Sequence, residues 1–152
     1  MKDLKKWAGA ALILFAVASG VYVVLRDGAS AAEDGPVPAG ADLVVYFFDQ
    51  GKDCATCENI PAYTQAVLED SFGDALASGR IVWRVVDVEA AENAHFVEDF
   101  GLFAKAIVLV RMASGRQVAW KNLDRVWDLV YDQAGFVAYI REEVAGMLET
   151  PA

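Results

Sequence analysis

Two short apolar runs bracket a stretch of helical period, and this arrangement restricts the fold more than any other feature of the chain. Residues 42–48 read DLVVYFF and residues 81–89 read IVWRVVDVE. Both are rich in β-branched and aromatic residues and run almost continuously apolar, as strands buried on both faces do. Between them Ile60, Tyr63, Val67, Leu68 and Phe72 recur at helical spacing. Pro61 should bend this helix or lie in its first turn, and Gly79 should end it. A strand, a helix and a second strand in this order predict a parallel pair with a right-handed crossover.

The rest of the chain extends the unit. AAENAHFVEDFGLF predicts a second helix with Asn93 as a candidate cap. KAIVLVRM and RQVAW predict two strands joined by Ser114-Gly115 as a hairpin. LDRVWDLV reads as a short helix, and AGFVAYIREEVAGMLE as a terminal amphipathic one, with Phe136, Tyr139, Ile140, Val144 and Leu148 on its stripe. The expected fold class is α/β, a central mixed sheet with helices on both faces.

Ahead of this unit, residues 7–25 carry no charge. A helix of that length is about 28 Å long, close to the thickness of a bilayer core. Lys2, Lys5 and Lys6 precede it, while Arg26 follows with Asp27 beside it. The charge bias predicts a cytoplasmic N-terminus over residues 1–6, a transmembrane anchor over 7–25 held by Trp7 and Tyr22, a linker over 26–41 and an extracytoplasmic domain over 42–152. The membrane is then the inner or plasma membrane, crossed once. The alternative is a signal peptide cleaved near Ala29-Ser30-Ala31, which releases the same domain outside the cytoplasm. The chain's net charge of −9 argues against nucleic acid and anionic lipid as partners.

Cys54 and Cys57 are the chain's two cysteines, spaced C-x-x-C between the first strand and the first helix. That placement is the signature of a redox dithiol. Unpaired backbone N–H groups and the helix dipole stabilise a thiolate at a helix N-terminus. Cys54 is therefore the expected nucleophile and Cys57 the resolving thiol. Two other readings stay open: a soft-ion site built on Cys54 and Cys57, and a structural disulfide in an interaction subunit. A closed zinc site would need carboxylate help, because His95 is the one histidine. His95 and Glu58 read as surface or helix-terminal groups, and Trp83, Trp120, Trp127, Phe47 and Phe48 as core or site rim. No Ser-His-Asp set, phosphate loop or dinucleotide motif stands out, so no cofactor is expected.

The segments YFFDQGKDCATC, SGRIVWRVVDVEAAEN, FGLFAKAIVLV, WKNLDRVWDLV and FVAYIREEV together resemble the thioredoxin-like superfamily. More narrowly, they are similar to the nitrophenyl-compound nitroreductase subunit ArsF family. The resemblance implies thiol–disulfide exchange or electron transfer, service to nitroaromatic or arsenical reduction, and a redox partner that is a membrane electron donor or a flavin-containing subunit. It also aligns Ala106 with the position where relatives carry a cis-proline. A non-proline cis bond costs about 2.5–4 kcal/mol, so a trans bond is expected there. The residue before that position, Lys105, would face the dithiol and lower the Cys54 pKa. Lys52 would act the same way from the loop, and Asp49 and Asp53 would oppose it or relay protons. The plainer alternative makes Lys52 and Asp53 solvated loop charges and Lys105 a structural residue.

Overall fold

The computed structural model describes residues 36–51 and 57–149. The N-terminal residues 1–6, the expected anchor over 7–25 and most of the linker lie outside them. Among the described residues, no helix is long and apolar enough to cross a membrane.

Four strands form one sheet: β1 (Leu43–Asp49), β2 (Ile81–Asp87), β3 (Ala106–Ala113) and β4 (Arg116–Asn122). Their order is β2-β1-β3-β4. β1 and β2 run parallel, joined by helix α1 (Asn59–Ala77). β3 lies antiparallel on the other side of β1, and β4 antiparallel to β3. The remaining helices are α2 (His95–Asp99), α3 (Val126–Leu129) and α4 (Gln133–Glu149). A parallel strand–helix–strand unit followed in the same sheet by an antiparallel hairpin and a terminal helix makes the expected α/β fold with a central mixed sheet.

Alternation along the strands sorts side chains to two faces. Val44, Tyr46 and Phe48 join Val82, Val86, Val108 and Val110 in a cluster closed by Phe100 and Leu102. Phe96 of α2 tilts against Phe48 at 5.2 Å between ring centroids, and Tyr46 stacks on Phe48 at 5.3 Å. The opposite face presents Leu43, Val45, Ile81, Ile107 and Leu109. The long helices α1 and α4 pack against each other and against the sheet, α1 burying Ile60, Val67 and Leu68, and α4 burying Phe136, Ile140 and Val144.

Pro61 occupies the first turn of α1, one of its two expected places, where its missing N–H costs no intrahelical bond. The helix is irregular at Phe72 (φ −134°, ψ 23°), just before Gly73. Two local expectations change. The second helix shrinks to the five residues of α2, with Ala94 at its N-cap position. Asn93 does not cap it: its side-chain amide donates to the Asp87 carbonyl at 3.0 Å and ties the segment to the end of β2. Trp120 lies on β4 and is 45% exposed instead of packed in the core. The hairpin turn is as expected, with Ser114 and Gly115 both at positive φ (51° and 72°), as a two-residue primed turn requires.

Phe136 is fully buried and meets Tyr63 edge-on at 5.6 Å, joining α4 to α1. Phe136→Ala should destabilise the domain by about 3–5 kcal/mol in urea unfolding. Burial raises the Tyr46 pKa above its ordinary value of 10.0, with Arg84 opposing the shift. The folded state thus holds this phenolic proton more tightly than the unfolded chain. The resulting stability is complete below the unfolded pKa and is lost as pH rises through the folded one. Tyr46→Phe should therefore flatten the fall in stability above pH about 10 in a pH series of denaturation midpoints.

Candidate functional site

The site is built at the C-terminal end of β1. Phe48 pairs across the sheet with Ala106 at the start of β3, and Asp49 with Asp87 at the end of β2. The chain leaving β1 toward the cysteines therefore departs beside the 105–106 peptide. Asp49 turns the chain: its Oδ1 accepts the Gly51 N–H at 3.1 Å. Gly51 sits at φ 65°, where a side chain is strained, and a Cβ there would collide with the Glu89 carboxylate.

The same Asp49 oxygen pairs with Lys105 Nζ at 2.7 Å. Lys105 is 9% exposed, and a buried ammonium needs such a partner. Its backbone is held too, since the Trp127 indole N–H donates to the Lys105 carbonyl at 3.0 Å. No peptide bond among the described residues is cis. At Ala106 the chain therefore enters β3 through a trans bond, and the contacts of Asp49 and Trp127 fix the preceding residue.

Cys57 is buried and disulfide-bonded, two residues before the start of α1. Cys54, the chain's other cysteine, lies outside the described residues together with Lys52 and Asp53. Of the candidates, the structure brings Asp49, Lys105 and Ala106 together. It also couples Asp49 and Lys105 directly, so the two expected opposing charges neutralise each other. Glu58 is at the N-cap position of α1 without a side-chain cap bond. His95 is exposed, its Nδ1 2.9 Å from the Glu92 carbonyl oxygen. Trp83, Phe47 and Phe48 belong to the core. Among the described residues, no group of three His, Cys, Asp or Glu side chains is placed to hold a metal ion.

Trp127 takes the rim place that was one of its two expected positions: it is 38% exposed and bonds to the site. Sequence reasoning missed Phe103, which is 97% exposed. With Lys105, Ala106, Leu123 and Asp124 they line a pocket of about 160 Å³. Only the density of tryptophan and acidic residues in WKNLDRVWD hinted at it.

No protein-family model matches the chain, and no curated protein matches it. Among solved structures, a thioredoxin from Thermus thermophilus is similar at 19% identity and a TM-score of 0.44, over 70% of this chain and 76% of its own. The Malassezia sympodialis thioredoxin Mala s 13 is similar at 16% identity and a TM-score of 0.37, over 64% of this chain and 80% of its own.

A double-mutant cycle of Lys105→Met and Asp49→Asn should give a coupling energy of about 0.5–1.5 kcal/mol, because Asp49→Asn strands the buried Lys105 ammonium while the Asp49 carboxylate is partly solvated. Strictly additive denaturation midpoints would show that the pair contributes no stability.

Proposed function

We propose that this chain performs thiol–disulfide exchange through Cys54 and Cys57. The observation that carries the reading is the placement of Cys57. It is buried and disulfide-bonded, and it lies at the entry of α1, directly after a strand whose end holds the Asp49–Lys105 pair. In the reduced protein, the Cys54 thiolate attacks a partner disulfide. A mixed disulfide forms, and one partner sulfur leaves as a thiolate that takes up a proton. The Cys57 thiolate then attacks Cys54 Sγ, closing the intramolecular disulfide and releasing the second partner sulfur. Two electrons pass to the partner, and the reverse sequence returns them.

The N-terminal apolar segment supports an extracytoplasmic domain tethered to the inner or plasma membrane. In that compartment a reductant needs resupply from a membrane electron donor or a flavin-containing subunit. The narrower resemblance favours service to nitroaromatic or arsenical reduction. The burial of Cys57 also suits a second reading, a structural disulfide. A dithiol that stores arsenite or Cu(I) without turnover is the third.

A redox titration of the purified protein separates them. Exchange predicts a reduction potential between about −270 and −120 mV. A value below about −300 mV, with Cys54→Ser unfolding the domain, would establish the structural disulfide. Cys57→Ser should accumulate a mixed disulfide with its partner, whereas tight stoichiometric arsenite binding without disulfide turnover would favour storage. Lys105→Met should raise the Cys54 pKa, read from the pH dependence of alkylation, and an unchanged profile would remove Lys105 from the electrostatics of the dithiol.

A further inference from the structure

Two turns are laced together where the chain leaves the sheet for the dithiol. The Asp49 carbonyl accepts the Val88 N–H at 3.0 Å, which ties the last residue of β1 to the residue after β2. Asp87 then turns its own chain, its Oδ1 accepting the Glu89 N–H at 2.9 Å, and the Asn93 amide holds the Asp87 carbonyl from beyond. Glu89 closes this second turn, and its carboxylate lies against Gly51: a Cβ added to Gly51 would stand 2.8 Å from the Glu89 Cδ. Glycine at position 51 thus makes room for the approach. We infer that Glu89 is a positioning residue of the dithiol, whose negative charge disfavours the Cys54 thiolate and draws the reduction potential of the pair downward. This role rests on the exchange reading, which gives that thiolate its use.

The chain itself limits the distance. Gly51 stands three residues before Cys54, and three extended residues span at most about 11 Å. A unit charge about 10 Å from a thiolate moves its pKa by about 0.3 pH unit in water and by about 1 at the effective dielectric of a protein surface. The N-terminus of α1 favours the thiolate, and Glu89 works against it. A dithiol whose reduced form is less stabilised is the weaker oxidant.

The neighbouring charges leave this role to Glu89. Asp49 is engaged twice, by the Gly51 N–H and by Lys105 Nζ at 2.7 Å, so that pair is neutral. Lys52 and Asp53, inside the loop, carry opposite charges. Glu58 at the entry of α1 and Asp87 at the end of β2 add carboxylates. The segment before α2 brings Glu92 and His95, and the segment after β4 brings Asp124, Arg125 and Asp128. The ion pairs among the described residues join Arg80 to Asp42, Lys105 to Asp49 and Lys121 to Glu143, and Glu89 belongs to none of them.

The test uses the full chain, reduced with a phosphine and alkylated with iodoacetamide across a pH series, with Cys54 followed by mass spectrometry. Glu89→Gln keeps the shape and removes the charge. It should lower the Cys54 pKa by about 0.3–1 pH unit at low salt, and by less than half as much in about 1 M salt, where the Debye length is about 3 Å. Glu89→Lys should lower it about twice as far. Asp74→Asn, near the far end of α1, should leave it unchanged. At about pH 9 the equilibrium of Glu89→Gln with glutathione should shift about two- to tenfold toward the reduced protein, a rise of about 9–30 mV in potential. Glu89 is exposed, so its variants should unfold at the wild-type urea concentration. A Cys54 pKa that stays in place in both Glu89 variants overturns the inference, because the charge then does not reach the sulfur. A shift that 1 M salt leaves intact also overturns it, because the substitution then acts through structure. Turnover of a small disulfide is read on the same preparations. A salt-sensitive shift without turnover keeps the role of Glu89 and rejects the exchange reading, and turnover with an unmoved pKa does the reverse.

Discussion

The register between β1 and β3 is the constraint on which the rest of the structure depends. Because Phe48 lies opposite Ala106, the end of β1 and the start of β3 meet at one edge of the sheet. A shift of one residue would turn Phe48 away from the aromatic cluster and carry Lys105 out of reach of Asp49. The register is fixed by burial on both faces. Tyr46 and Phe48 need Phe96 and Phe100, while Val45 and Leu109 belong to the side covered by α1 and α4. The ion pair at the site is thus held by core packing, and its own electrostatics need only exceed the desolvation of a single ammonium.

That dependence explains how the domain manages without proline at position 106. Proline stiffens a chain by fixing φ. Here the same segment is held by side chains from two other elements, Asp49 from β1 and Trp127 from α3. The short helix α3 therefore has a role beyond connecting β4 to α4, because it carries the indole that bonds to the Lys105 peptide and forms one wall of the pocket. Fixing the segment by side chains leaves its surface free to carry an exposed Phe103.

Much of this architecture was legible from periodicity. The four strands, the two long helices and the Ser114-Gly115 turn follow from apolar runs, helical spacing and turn chemistry. The second helix was overestimated because Asn93, a good capping residue, is drawn to the Asp87 carbonyl six residues back, at the end of β2, a pairing outside the spacing of a helix cap. Sequence left Pro61 either a bend or a place in the first turn of α1; the structure takes the first turn, where proline breaks nothing, and the irregularity at Phe72 carries no proline signal. Trp120 and Trp127 were open to a core reading because hydrophobicity does not tell an inward face from a rim.

By itself, the sequence determined the α/β class, the place of the C-x-x-C between a strand and a helix, and the candidacy of Asp49 and Lys105 as charges near it. Each depends on residue type and spacing along the chain. Only the tertiary structure decided that those two charges bind each other, that Trp127 holds the peptide before Ala106, and that Phe103 stands in solvent beside a pocket. These are contacts between β1, β3 and α3, set by the β1–β3 register and the β4–α3 turn, and local sequence carries no record of either.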